Sequence, residues 1–165
     1  MKGILEVVSQ SPELTRQIGA KLAHRLAAGD NIFLIGDLGA GKTCLVQGIA
    51  LGLGIREYAA SPSFVLVREL CGSLPLYHVD LYRLEHLEEI ADLGLDDYLC
   101  GGGVCVVEWA EKGTMVLPAE HLEVQIEYLS DNERRMRLVP HGRRYIEMVR
   151  NLKSDLREVE VADCD

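Results

Sequence analysis

Apolar and polar positions along this chain follow two interleaved periods, one near 3.6 residues and one of two. Residues 4–8, "ILEVV", are a short apolar run that predicts a strand. Over 11–29, Leu14, Ile18, Leu22 and Leu26 recur at four-residue spacing and line one face of a predicted helix. Ser11 is its candidate N-cap, Pro12 suits the first turn, and Gly29 suits the end. Residues 31–35, "NIFLI", are continuously apolar, as in a strand covered on both faces. After Gly41 a second helix is predicted, with Leu45, Val46, Ile49 and Leu53 packing back on the sheet. Strands follow at 63–70 and 74–82, then a helix over 87–99 broken at Gly94, then a buried strand at 103–109.

The rhythm then changes. Residues 121–129 alternate strictly, with Leu122, Val124, Ile126 and Tyr128 on one face and Glu123, Gln125 and Glu127 on the other. "SDNE" reads as a turn, and 134–139 returns as the hairpin partner. Residues 142–160 form an amphipathic helix, so 141–165 is a C-terminal helix with an acidic tail. Alternating strand and helix signals predict an α/β fold in a single domain spanning 1–165. The sheet is expected to be mixed: a parallel centre flanked by helices and extended by a C-terminal antiparallel hairpin.

Composition narrows the partners. Hydrophobic residues make up 48% and charged residues 26%, a balance typical of water-soluble globular domains. No apolar stretch approaches the roughly 20 residues of a membrane span, and the N-terminal patch is too short for a secretory signal. A cytoplasmic protein without membrane contact is expected. The net charge of −9 suits nucleic acid poorly, because phosphate neutralisation needs surplus Lys and Arg. The basic clusters at 134–137 and 142–144 read as solvated ends of strands and helices. Cysteines 44, 71, 100, 105 and 164 contain no CxxC pair, so reduced thiols are expected. Cys100 and Cys105 have no His/Cys cluster beside them that would suit zinc.

The chemistry is concentrated at 36–43, "GDLGAGKT", which satisfies G-x-x-x-x-G-K-[ST] at Gly36, Gly41, Lys42 and Thr43. Glycines let backbone N–H groups turn inward around phosphate oxygens. A helix starting near Gly41 presents unpaired amides and the positive end of its dipole. Lys42 is the point charge for phosphate, and the Thr43 hydroxyl is a candidate Mg²⁺ ligand. The apolar strand before and the amphipathic helix after give the motif its required context. Two other apolar runs end in an acid, Asp80 and Glu108, each a candidate carboxylate beside the metal. Ser61-Pro62-Ser63 heads another predicted strand and reads either as a helix-to-strand turn or as a nucleotide-sensing segment.

With these segments in view, the chain resembles the bacterial tRNA threonylcarbamoyladenosine biosynthesis ATPase family, TsaE (formerly YjeE). The residues that carry the resemblance are "GDLGAGKT" (36–43), "SPSF" (61–64), "YHVDLYR" (77–83) and "VEW" (107–109), over roughly residues 11 to 140. The phosphate loop alone is widespread; the H-x-D-x-Y-R block with E-W at this separation is far more specific. The resemblance implies a small phosphate-loop NTPase fold and weak, Mg²⁺-requiring ATP hydrolysis. It implies a role in placing threonylcarbamoyl on the adenosine beside the anticodon of tRNAs that read codons beginning with A. It implies that the transfer itself belongs to a partner, TsaD, working with TsaB, and that tRNA is contacted only indirectly, which agrees with the acidic charge.

Carried over by residue, Gly36, Asp37, Leu38, Gly39, Ala40, Gly41, Lys42 and Thr43 hold the phosphates, and the stretch near Ser11 lies against adenine. Thr43 and Glu108 are the metal-side groups, and Asp80 positions or activates water. Ser61 to Phe64 form a switch-like segment. Trp109 packs either at the site or partner surface or in the core. His78, Tyr82 and Arg83 match the family block without an assigned role. Ser63 stands where the family often has Thr, and the hydroxyl survives.

Two other functions use the same loop. A small-molecule kinase would need an Arg-rich lid, and only Arg56, Arg68 and Arg83 lie between 44 and 120. A nucleotide-gated interaction module would bind partners without needing hydrolysis. The guanine signature [NT]-K-x-D is absent from the sequence.

Overall fold

The computed structural model describes residues 3–56, 67–99 and 101–162, with side chains as far as Arg157. Ser61, Pro62, Ser63 and Phe64 lie outside the described residues, as do Cys100 and Cys164. The strands are β1 (Leu5–Ser9), β2 (Asn31–Ile35), β3 (Val67–Leu70), β4 (Leu76–Asp80), β5 (Val104–Glu108), β6 (His121–Tyr128) and β7 (Arg134–His141). They form one sheet in the order β1-β7-β6-β2-β5-β4-β3. The central pairs β6/β2, β2/β5 and β5/β4 are parallel. The outer pairs β1/β7, β7/β6 and β4/β3 are antiparallel. The mixed sheet expected from the two hydrophobic periods is therefore the observed one.

Period-two alternation sorts the core into two layers. Ile32 and Leu34 of β2 face a layer built by α1 (Pro12–Ala23), α2 (Lys42–Gly52) and α5 (Arg143–Ala162). Phe33, between them, faces the other layer, with α3 (Leu87–Ala91), α4 (Asp96–Leu99) and the 3-10 turn Ala110–Gly113. Burial on both faces explains why "NIFLI" and "VCVVE" are continuous apolar runs.

Several boundaries differ from expectation. α1 is capped as predicted, the Ser11 hydroxyl accepting from Leu14 N at 3.1 Å. It ends at Ala23, however, six residues before Gly29. The reason is local competition: Asp30 draws its carboxylate onto Ala27 N at 2.7 Å, favouring a turn over further helix. Gly29 instead takes a left-handed φ of 91° and donates to Gly103 O at 2.8 Å, tying this turn to the start of β5. Tyr128 belongs by register to the buried face of β6 but is 53% exposed, because the strand runs past the core there. Gly94 does break the helix, with φ 68° between α3 and α4.

The helix after the loop is seated by glycines that the hydrophobic pattern does not reveal. α1 and α2 cross so closely that a Cβ at Gly19 would lie 2.6 Å from Leu45 O, and one at Gly52 2.6 Å from Ala20 O. A Cβ at Gly48 would overlap the backbone of Arg16. Gly48→Val is therefore expected to destabilise the protein by about 1–3 kcal/mol through overpacking. Urea denaturation at constant m-value checks this; unchanged stability would contradict the close crossing.

Candidate active site at the phosphate loop

β2 delivers the chain into the loop 36–41, and α2 leaves it at Lys42. Gly36 is pressed against β6, where a Cβ would stand 2.6 Å from Ile126 O. Gly39 and Gly41 adopt φ of 80° and 108°, the left-handed region that side chains avoid. Ala40 N closes the turn on Asp37 O at 3.0 Å, and Leu38 stands out at the tip, 76% exposed. Gly41 caps α2 without a side chain, so no side-chain oxygen takes up its first-turn amides.

Lys42 lies inside this curl, only 5% exposed. Its ammonium donates to the Gly36 carbonyl and sits 3.5 Å from the centroid of the Trp109 ring. Burial pushes the ammonium below its ordinary value, while the carboxylates of Glu108, Glu111, Asp80 and Asp37 oppose that shift. Thr43, one residue on, donates its hydroxyl to Glu108 Oε1 at 3.3 Å.

Glu108 ends β5 and is 3% exposed. Its second oxygen, Oε2, lies 2.5 Å from Nε2 of the fully buried His78 on β4. The tautomer with hydrogen on Nε2 satisfies the carboxylate and leaves Nδ1 only a lone pair. That Nδ1 has no hydrogen-bond partner among the described residues. Asp80 is the register partner of Glu108 across the parallel β4/β5 pair, which brings the two predicted carboxylates side by side. Asp80 Oδ1 accepts from Tyr82 N at 2.9 Å, which bends the chain out of β4.

Trp109 follows Glu108 in a left-handed backbone conformation, φ 59° and ψ 37°. For a bulky side chain that costs about 1–2 kcal/mol. The conformation turns the half-buried indole over Lys42 and against Tyr82, with ring centroids 4.9 Å apart. The same indole also packs against the core layer that holds Phe33 and Val107. Lys112 holds the same wall by donating to Tyr82 O at 2.5 Å and Leu84 O at 3.3 Å.

Ser11 arrives from the far side. Its helix lies beside α2, and a cavity of about 190 Å³ is lined by Ser11, Thr15, Gly41, Cys44, Asn132 and Arg134. Arg134 corrects the reading of 134–137 as a solvated strand end. Its Nε donates to Ala40 O at 2.9 Å and Nη2 to Gly39 O at 3.5 Å, so the hairpin braces the loop. The Tyr128 ring supports the guanidinium at 4.6 Å. Sequence reasoning also left His78 without a role, although its position two residues before Asp80 on a strand places both on one face.

Strand, glycine loop and capped-by-nothing helix together define a phosphate-loop NTPase fold. The sequence profile of threonylcarbamoyl adenosine biosynthesis protein TsaE matches residues 9–136. The tRNA threonylcarbamoyladenosine biosynthesis protein TsaE of Bacillus subtilis is 46% identical over 136 residues, covering 82% of this chain and 85% of that protein. The protein of the same name from Treponema pallidum is 42% identical over 130 residues, covering 79% and 96%. The crystal structure of Bacillus subtilis YdiB superposes with a TM-score of 0.83 at 38% identity, covering 94% of this chain and 97% of that one. The chain belongs to the TsaE family. Among the described residues no helix is long and apolar enough to cross a membrane.

Trp109 is the sole tryptophan of the chain, so the emission comes from this ring alone and reports on its surroundings, Lys42 among them. Lys42→Met is expected to change the intensity and position of the tryptophan spectrum in the nucleotide-free protein. Superimposable spectra would contradict the cation–ring contact.

Proposed function

We propose that this chain is a Mg²⁺-dependent ATPase supporting threonylcarbamoylation of the adenosine next to the anticodon of tRNAs reading codons that begin with A. It acts in the cytoplasm with proteins of TsaD and TsaB type, as one domain spanning 1–165. The observation that carries this reading is the convergence of Lys42, Thr43 and Glu108 where the side-chain-free N-terminus of α2 opens. The names of the curated relatives support the pathway.

The residues present fit both ATP and Mg²⁺. Thr43 Oγ1 and Glu108 Oε1 are hard oxygen donors 3.3 Å apart, and neighbouring ligands on Mg²⁺, with bonds of about 2.0–2.1 Å, stand about 2.9 Å apart. Bound Mg²⁺ would offset the negative charge on the terminal phosphates. His78 keeps the Glu108 carboxylate turned toward Thr43. Lys42, released from the Gly36 carbonyl, gives its ammonium to phosphate oxygens. The loop amides of 37–43 complete the cradle. Asp80, beside Glu108, orients the attacking water and accepts its proton. The cavity at Ser11 suits adenine in position, at the other end of the phosphate tail. Ser61, Pro62 and Ser63 act as the nucleotide-sensing segment. An arginine supplied by a partner would speed hydrolysis, so the isolated chain turns over slowly; Arg83 is the candidate within this chain. With a net charge of −9, the chain leaves tRNA contact to its partners.

Lys42→Ala is expected to lower phosphate release from ATP by at least about 10²-fold. Asp80→Asn is expected to lower turnover by about 10²–10⁴-fold with ATP affinity nearly unchanged. Near-normal ATPase in Lys42→Ala would remove the site assignment. The pathway reading is tested by reconstituting tRNA modification with the two partners. Product should require both this chain and hydrolysable ATP; multiple turnover in their absence would end it.

A further inference from the structure

Two histidines and a glutamate meet on the β6–β7 hairpin, at the strand end away from the phosphate loop. His121 opens β6 opposite His141, its register partner at the close of β7. Glu123 lies two residues on, so all three project from one face of the hairpin. One ligand atom from each lies within 4.8 Å of the other two. Glu123 Oε2 is 3.0 Å from His141 Nε2. The two imidazoles stack with centroids 4.5 Å apart, and His121 rests in turn on the Phe33 ring at 4.1 Å.

Outer contacts already hold two of these groups. His121 Nδ1 is 3.0 Å from Pro118 O, to which it donates, so the Nε2 lone pair is left to ligate. Gln125 Nε2 donates to Glu123 Oε1 at 2.6 Å and leaves Oε2 turned to His141. Metal-binding imidazoles characteristically give their other N–H to a carbonyl, and ligating carboxylates are themselves hydrogen-bonded.

We propose that His121, Glu123 and His141 bind a divalent cation of the late first transition row, of zinc type, at a site separate from the nucleotide pocket. Two imidazoles and one carboxylate suit such a cation, whereas Mg²⁺ takes oxygen ligands and keeps water. Metal bonds of about 2.0–2.2 Å set neighbouring ligand atoms about 3–3.5 Å apart, and Glu123 Oε2 and His141 Nε2 have that spacing. All three side chains are partly exposed, which leaves the fourth position to water or an external donor. The bound ion ties the first residue of β6 to the last of β7, closing the hairpin at the end opposite its 129–133 turn. Thiols play no part, and the proposal is independent of the ATPase reading.

The test is a Co²⁺ titration of the full chain in excess Mg²⁺, followed by ligand-field absorption. The expected result is saturation at one equivalent, no thiolate charge-transfer band, and displacement by Zn²⁺. Glu123→Gln and His141→Gln should each weaken Co²⁺ by more than about tenfold, and Gln125→Leu by about tenfold through loss of the outer contact. In the unaltered protein, Co²⁺ should broaden the imidazole resonances of His121 and His141 and leave those of the buried His78 sharp. No saturable binding, a thiolate band, undiminished affinity in the folded Glu123→Gln protein, or broadening centred on other histidines would overturn the proposal.

Discussion

A carboxylate taken almost wholly out of water has to be held by partners, and Glu108 is held from two sides. The Thr43 hydroxyl engages one oxygen and the His78 imidazole the other. Removing either partner would leave a buried charge undercompensated. This one group therefore fixes the mutual position of β4, β5 and the first turn of α2. The parallel pairing of β4 with β5 places Asp80 beside it, and the chain reversal just after it places Trp109 over Lys42.

The loop is gripped from three directions by different forces. The glycine-lined crossing of α1 and α2 is steric, since backbone atoms already occupy the space of any added Cβ. The Arg134 brace is a set of charge-assisted hydrogen bonds to carbonyls of the loop, made by a residue of β7. The Trp109 contact is electrostatic and aromatic, and it sits on a strained backbone. Because these supports come from α1, β7 and β5, loop geometry depends on the whole sheet rather than on eight consecutive residues.

Much of this was legible in the amino-acid sequence. Continuous apolar runs marked β2 and β5 as buried, and the glycine-lysine pattern marked the loop. Strict alternation marked the antiparallel β6/β7 hairpin but not the parallel pairing of β6 with β2. Strand-end acids at Asp80 and Glu108 were legible because a parallel sheet presents such ends together. What escaped depends on contacts between distant segments. Gly19, Gly48 and Gly52 look like weak helix formers until a second helix lies against them. Arg134 looks like a solvated charge until the hairpin register carries it over Ala40. The early end of α1 turns on a single carboxylate, Asp30, reaching back to an amide three residues earlier. His78 lacked a role because its partner is on another strand.

The two faces of the sheet are covered unequally. α1, α2 and α5 run 12, 11 and 20 residues, whereas α3 and α4 run only five and four. Helices that short contribute little cohesion of their own and open at small cost relative to global unfolding. Thermal excursions should therefore begin on the thin side, the side that carries Lys112 and the wall supporting Tyr82 and Trp109. Of the three supports of the loop, the indole over the lysine is the one on that thin side, so it is the first that such an excursion would loosen.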